Sequence, residues 1–228
     1  MRVLACADLH GFRDVYAWLI EMARTEEPDA VVLAGDLLGF ASGYGTFEDA
    51  QAADARGIVS RLSEITCPVF YVMGNDDWVD LNPSVPDIQS VHGKRVPFGD
   101  FNIVGYQYTL PFMGGINEKP EHEMKDDLEE LEKLVDQSTV LVTHGPVHGV
   151  LDTVTLGGHV GSTSLSDLVN RRSPRAHIHG HIHYWFGREG RHFNVASAGK
   201  KRAMMIDLET MEHRVVEEAC SGGRSGVL

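Results

Sequence analysis

Cysteine is scarce in this chain: Cys6, Cys67 and Cys220 are three in 228 residues, far apart and odd in number. No CxxC pair occurs, so the thiols read as reduced, in a cytoplasmic protein, and no disulfide framework is expected. Positive charge is also in short supply. Twenty Lys and Arg stand against 33 Asp and Glu, a net charge of −13, which disfavours broad nucleic-acid binding. A site that attracts phosphate is not excluded, because bound cations reverse the local sign. Long apolar runs are missing too. The start, "MRVLACADLH", holds only five apolar residues in a row, 3–7, too few for a signal peptide or a membrane span. There is no internal repeat, low-complexity segment or linker.

What remains is an ordinary globular composition, 43% hydrophobic and 23% charged, which supports a buried core. A single domain is expected over residues 1–218, with 219–228 ("CSGGRSGVL" from Cys220 onward) as a flexible tail. The first half alternates strands and helices. "RVLACA" (2–7), "AVVLAG" (30–35) and "VFYVMGND" (69–76) are apolar runs that end in polar residues. Between them, Val15, Trp18, Leu19 and Met22 follow helical spacing up to Pro28, and Ile58, Leu62 and Ile65 mark a second helix over about 47–64. This alternation implies parallel pairing and a sheet covered on both faces.

The second half changes character. Residues 94–107 read as a hairpin turning at Gly99-Asp100. Met124, Leu128, Leu131 and Val135 form the stripe of a third helix. "STVLVTHG" (138–145) and "RAHIHG" (175–180) are further strands, and 192–217 reads as short antiparallel strands. Loops 37–46, 107–120 and 145–164 are long enough to carry substrate contacts.

The segment "HIHGHIH" (177–183) places a histidine at every second position. A straight strand would point all four one way, but Gly180 argues against one straight strand. Other donors lie just past the strand ends: Asp8 and His10, Asp36, Asn75, and His144, with His181 and His183 completing the set. These seven come from five segments at the edge where α/β sheets bind ligands. All are oxygen or nitrogen donors. They exceed one tetrahedral site and suit two metals about 3.5–4 Å apart that share a carboxylate. His177 and His179 belong to the strand and are expected to pack rather than ligate.

"DLH", "GD", "GND", "THG" and "GHIH", in that order, resemble the five blocks of the calcineurin-like metallophosphoesterases, over roughly residues 2–200. "THGPVHGVLDTVTLGGHVGS" followed by "PRAHIHGHIH" is similar to the Icc-related branch, which contains phosphodiesterases. The resemblance implies an α/β fold, the four-layer αββα sandwich with two mixed β-sheets flanked by helices. It implies Asp8, His10, Asp36 and His183 at one metal and Asp36, Asn75, His144 and His181 at the other, with Asp36 bridging. The implied cofactors are two divalent metal ions, Mn2+ first, with Fe, Zn, Ni, Co or Mg as alternatives. The implied reaction is hydrolysis of a small phosphate ester, a diester before a monoester, by a hydroxide bridging the metals. No membrane partner is expected. A scaffold that kept the fold and lost the chemistry is the reading from another class, but such proteins lose ligands and all seven are present. A nuclease or nucleotide hydrolase is the other alternative, against which the acidic composition counts.

One block departs from the commonest family pattern. Where many members read Gly-Asn-His, this chain has Asp76 in "GNDD". A free Asp titrates near pH 3.9 against about 6.5 for His. Nearby cations would lower its pKa further, and neighbouring Asp77 pushes the other way but by less. Asp76 is therefore a poor general acid, better suited to orienting a ligand. His159, then His148, are the spare proton donors, in a loop that Asp152 braces. Ser162 is expected to cap the following helix. His92, His122, His192 and His213 are expected at the surface.

Overall fold

A computed structural model of the chain describes residues 1–40, 43–155 and 157–218. The tail expected over 219–228 lies outside the described residues. In chain order the elements are β1 (Arg2–Cys6), α1 (Arg13–Glu26), β2 (Ala30–Ala34), α2 (Phe47–Leu62), β3 (Val69–Val72), β4 (Ile88–Ser90), β5 (Arg95–Phe98), β6 (Phe101–Tyr106), α3 (Glu121–Leu131), β7 (Thr139–Thr143), α4 (Thr163–Arg172), β8 (Ala176–His179), β9 (Gly187–Glu189), β10 (His192–Asn194), β11 (Arg202–Asp207) and β12 (His213–Glu217). Single 3-10 turns follow α3 and β8, over Glu132–Leu134 and His183–Trp185.

The strands form two six-stranded mixed sheets, ordered β12-β11-β1-β2-β3-β4 and β5-β6-β7-β8-β10-β9. Strand alternation sorts the core into layers. On β1, Leu4 and Cys6 pack with Val15, Leu19, Ile58 and Leu62 of α1 and α2. Val3 and Ala5 face the other way and meet Val140, Val142 and Ile178 of the second sheet. On the far side of that sheet, Val104, Tyr106 and Leu141 pack under Met124, Leu128, Leu165 and Leu168 of α3 and α4. Helices, sheet, sheet and helices make the αββα sandwich expected from the sequence.

The local signals explain the boundaries. α1 stops where Glu27 adopts φ 46° ahead of Pro28. Thr46 caps α2 by accepting the Asp49 N–H at 3.1 Å, and Ser162 caps α4 by accepting that of Leu165 at 3.1 Å. The expected hairpin forms, with Phe98 opposite Phe101 across the Gly99-Asp100 turn. One expectation of pairing needs correction. β10 runs parallel to β8, with antiparallel pairing only to β9. β4 and β9 are edge strands of three residues each, too short to show a period in the sequence. No helix among the described residues is long and apolar enough to cross a membrane.

Ile178 is fully buried between the sheets, on the strand that leads into the histidine segment. Ile178→Ala is expected to cost about 2–5 kcal/mol in urea unfolding, the range for a core truncation that leaves a cavity; a loss below about 1 kcal/mol would show that the inter-sheet core collapses around the gap.

Candidate metal centre

β1, β2 and β3 are parallel neighbours, so their carboxyl ends lie side by side. Asp8 follows β1, Asp36 follows β2 and Asn75 follows β3; all three are buried. β7 and β8 do the same in the second sheet and deliver His144 and His181. The Asp8 N–H donates to the Gly35 carbonyl at 2.9 Å, and the Gly180 N–H to the His144 carbonyl at 3.1 Å. The strand ends are thus sewn together by backbone before any side chain acts.

The seven expected donors come together. His183 Nε2 lies 3.0 Å from Asp8 Oδ1. His10 Nε2 lies 4.0 Å from Asp36 Oδ2, and His144 Nε2 lies 3.4 Å from Asp36 Oδ1. Asn75 Oδ1 is 3.0 Å from the same His144 nitrogen. The His181 ring stands edge-on to that of His144, centroids 5.1 Å apart. Three sets have donor atoms within 4.8 Å of one another: Asp8, His10 and His183; Asp8, Asp36 and His144; His10, Asp36 and Asp76. Asp36 is shared between the His10 side and the His144 side, as a bridging carboxylate requires.

Backbone strain marks the same residues. Asp8 (φ 56°), His10 (φ 45°), Asp36 (φ 52°) and His181 (φ 68°) all occupy the left-handed region, which side chains other than Gly enter at a cost. Two glycines permit the crowding. A Cβ on Gly74 would stand 2.2 Å from Asp36 Oδ1, and one on Gly180 would stand 2.5 Å from Asp8 Oδ2. Gly180 ends the strand and turns the chain, and this splits the histidine segment. His177 and His179 point to the face opposite Ala176 and Ile178, where their rings stack at 5.1 Å. His177 bonds to Thr143 Oγ1 at 2.8 Å and to His192 at 2.9 Å. They are packed residues of the sheet, away from the carboxylates.

The charges of the site are interdependent. Burial would lift the Asp36 carboxyl, but the imidazole of His144 beside it brings it well below the usual range. Burial likewise opposes charge on His144, yet the Asp36 carboxylate outweighs it and raises that pKa to about 10. The hydrogen bond to Asp8 raises His183. Burial lowers His181 to about 3. Donors of oxygen and nitrogen alone, two buried carboxylates and imidazoles facing them make a set that fits divalent cations of intermediate hardness. His144 Nδ1 lies 2.8 Å from the Ala34 carbonyl. Donation there leaves Nε2, which faces Asn75 Oδ1 and Asp36 Oδ1, as the nitrogen that would meet a cation.

Asp76 is half-buried, its Oδ2 3.9 Å from His10 Nδ1, and its Oδ1 accepts from Asn75 Nδ2 at 3.3 Å. Burial and then the Asp36 carboxylate raise its pKa. The neighbour responsible is Asp36, not Asp77 as the sequence suggested. Asp77 is turned the other way and fully engaged: it accepts the N–H groups of Leu37, Leu38 and Gly74 at 2.8–3.1 Å. It ties the Gly-Asp block to the Gly-Asn block, a role hidden in the sequence by its position beside Asp76. Gln51 and Asn117 add to this brace through the carbonyl groups of Asp76 and Gly74.

Asp152 braces its loop as expected, accepting from Gly149 and Gly161 and pairing with His159 Nδ1 at 2.7 Å. His148 and His159 are exposed and face each other, centroids 4.8 Å apart. Trp185, just past His183, donates to the Thr153 carbonyl at 2.7 Å and so fastens this loop beside the centre. Among the described residues, no hydrogen bond or ring contact joins His148 or His159 to the seven donors. His122 and His213 are exposed as expected, but His92 and His192 are half-buried. His192 sits on β10 beside His177, and His92 sits against Tyr106 and Tyr108; isolated histidines in short segments gave no period from which this burial could be read.

The histidines set a pH profile for the metal-free protein. Burial holds His179 and His181 at about 3 and His192 at about 4, below the ordinary 6.5, and holds His177 lower still. Below pH 6.5 the unfolded chain therefore binds more protons than the fold, and stability falls with acidification. Above 6.5 the sign reverses, because His144, raised to about 10, and Asp77, raised to about 8 by burial and then by the Asp36 carboxylate, keep their protons only in the fold. Urea midpoints measured across pH 4.5–9.5 in chelator are expected to peak near neutrality and fall on both sides; a midpoint still rising at pH 9 would contradict the His144–Asp36 pairing.

Known structures share this architecture. TT1561 of Thermus thermophilus superposes with a TM-score of 0.73 at 17% identity, over 95% of this chain and 98% of that one. A dimetal phosphatase from Danio rerio gives a TM-score of 0.61 at 13% identity, over 95% and 98% of the two chains. At these identities the likeness is one of fold. Comparison with curated proteins found no match. The sequence model of the calcineurin-like phosphoesterases matches residues 1–185, a span that contains every one of the seven converging donors. The chain belongs to the calcineurin-like phosphoesterase family.

Proposed function

We propose that the protein is a phosphodiesterase with a dinuclear metal centre, held by Asp8, His10, Asp36 and His183 on one side and Asp36, Asn75, His144 and His181 on the other. The observation that carries this reading is the position of Asp36, within 4.0 Å of His10 and 3.4 Å of His144. Two divalent ions, Mn2+ first among them, would supply charge neutralisation for the phosphoryl oxygens and an acidified water. The chain's own residues do the positioning. The Ala34 carbonyl holds the His144 ring. Asp76 stands against both His10 and Asn75 and orients them. Asp77 keeps the two strand-end loops in register. A cytoplasmic setting is consistent with the thiols: Cys6 is buried and bonded to the Arg202 carbonyl.

The proton for the leaving group is assigned to His159, with His148 second. The Asp152 carboxylate holds the His159 Nδ1–H, so Nε2 can donate when the ring carries both protons. The loop sits beside the His183 turn through Trp185. Asp76, next to the cations, would be ionised and unable to donate. With position 76 unable to donate and His159 joined by contact to none of the seven donors, the enzyme should favour diesters with good leaving groups.

Mn2+-loaded protein is expected to hydrolyse bis-p-nitrophenyl phosphate faster than p-nitrophenyl phosphate; absence of both activities would remove the phosphoesterase reading. Asp36→Asn should abolish turnover and weaken both binding steps together in a calorimetric Mn2+ titration, whereas loss of one step alone would show that Asp36 does not bridge. Asp76→His should raise the ratio of alkyl to p-nitrophenolate turnover at least about tenfold, a fraction of what general acid help supplies. Equal gains for both would mean that position 76 does not govern proton delivery.

A further inference from the structure

Exposed apolar side chains are ordinary when scattered and informative when gathered. Among the described residues, ten large hydrophobic side chains are exposed, and Val215 is the one that lies away from the strand-end loops. Phe40 lies four residues beyond Asp36, its ring 5.2 Å from Phe47, which in turn is 6.1 Å from Trp78. Trp78 follows Asn75 by three residues. Phe112 sits edge-on against His181 with centroids 4.7 Å apart, and Met113 beside it is 79% exposed. Trp185 follows His183.

The loop that presents Phe112 and Met113 is built to hold them there. Glu118 accepts the N–H groups of Met113 and Gly114, both at 3.1 Å. Asn117 donates to the Gly74 and Asp77 carbonyls at 2.9 and 3.2 Å. Lys119 pairs with Asp127 at 2.6 Å and lies 4.1 Å above the Tyr108 ring. An exposed apolar tip fixed by this many polar contacts is a preorganised surface.

Resting on the phosphodiesterase reading, we propose that the substrate carries a flexible alkyl chain, laid over Phe112 and Met113 and the Phe40–Phe47–Trp78 cluster while its phosphate occupies the metal centre. Charge complementarity divides the occupant: the anionic phosphate takes the cation site, and the exposed side chains of Phe40, Phe47, Phe112 and Met113, with the Glu118 carboxylate turned onto the Met113 and Gly114 amides, take an uncharged substituent. Ring geometry favours an aliphatic group over a nucleobase. Phe40 and Phe47 meet at 72°, Phe47 and Trp78 at 41°, and Phe112 and His181 at 71°. None of these three pairs is parallel, as a slot for a flat ring requires, and Met113 is an adaptable thioether. The net charge of −13 disfavours docking on an anionic bilayer, so the occupant is a single amphiphilic ester.

The test keeps the leaving group constant. Ethyl, butyl and octyl p-nitrophenyl phosphates are assayed with Mn2+-loaded protein. KM is expected to fall at least about tenfold from ethyl to octyl, with kcat within about threefold, since each buried methylene adds to binding. Met113→Ser and Phe40→Ser should flatten the trend, and Val215→Ser should leave it intact. A KM independent of chain length, with ethyl ester still hydrolysed, overturns the proposal and leaves the phosphodiesterase reading standing. So does thymidine 5′-p-nitrophenyl phosphate outperforming the octyl ester, which would make the rim a stacking platform. If no diester is hydrolysed, the phosphodiesterase reading fails, and the rim is judged by Trp78 and Trp185 fluorescence. Saturable quenching by octyl phosphate at a roughly tenfold lower concentration than by ethyl phosphate supports the alkyl-binding rim, and equal concentrations overturn it.

Discussion

A buried carboxylate needs a positive partner, and Asp36 is that constraint in this molecule. It lies at the end of β2 with 3% of its surface exposed. Burying an uncompensated anion is costly enough to reorganise whatever surrounds it. The compensation comes from the Asp76 N–H at 2.9 Å and from the His144 and His10 imidazoles. These belong to three further strand ends in two different sheets. Bringing them together requires the sheets to face each other with their carboxyl ends aligned. It also requires glycine at 74 and 180, and left-handed backbone at the donors themselves. The sandwich and the site are two views of one electrostatic requirement.

The polar groups behind the donors carry much of the precision. Asp77, Gln51 and Asn117 are not among the seven donors, yet they lock the backbone from which Asp36 and Asn75 project. Arg202 does the same for the last donor, donating to the Ala196 carbonyl and to the His183 carbonyl at 3.3 Å. Side chains that pin carbonyls and amides in this way are what allow strained donors to persist.

Much of this was legible in the sequence for physical reasons. β1, β2 and β3 are near-continuous apolar runs because both of their faces are buried, and the polar residue after each run marks the open edge. Gly180 correctly divided the four alternating histidines. The third helix showed itself through Met124, Leu128 and Leu131, whereas Val135, read as part of the same stripe, is buried beyond the helix after the 3-10 turn. Other features leave no local trace. β4 and β9 are too short for a period, and the parallel pairing of β10 with β8 is decided by tertiary contact. The burial of His92 and His192 depends on neighbours distant in the chain. Asp77 looked like a second charge beside Asp76, since sequence adjacency says nothing of which way a carboxylate turns.

The separation of the donors along the chain has a consequence for how the protein is made. Asp8 and His183 meet across 175 residues. During synthesis the segment up to Asn75 supplies Asp8, His10, Asp36 and Asn75, a half-set dominated by oxygen. The imidazoles of His144, His181 and His183 arrive only with the second sheet. A nascent chain thus presents hard ligands first and nitrogen ligands late. A nitrogen-rich set would favour softer ions than an oxygen-rich one, and the nitrogen-rich set exists only after both sheets have folded.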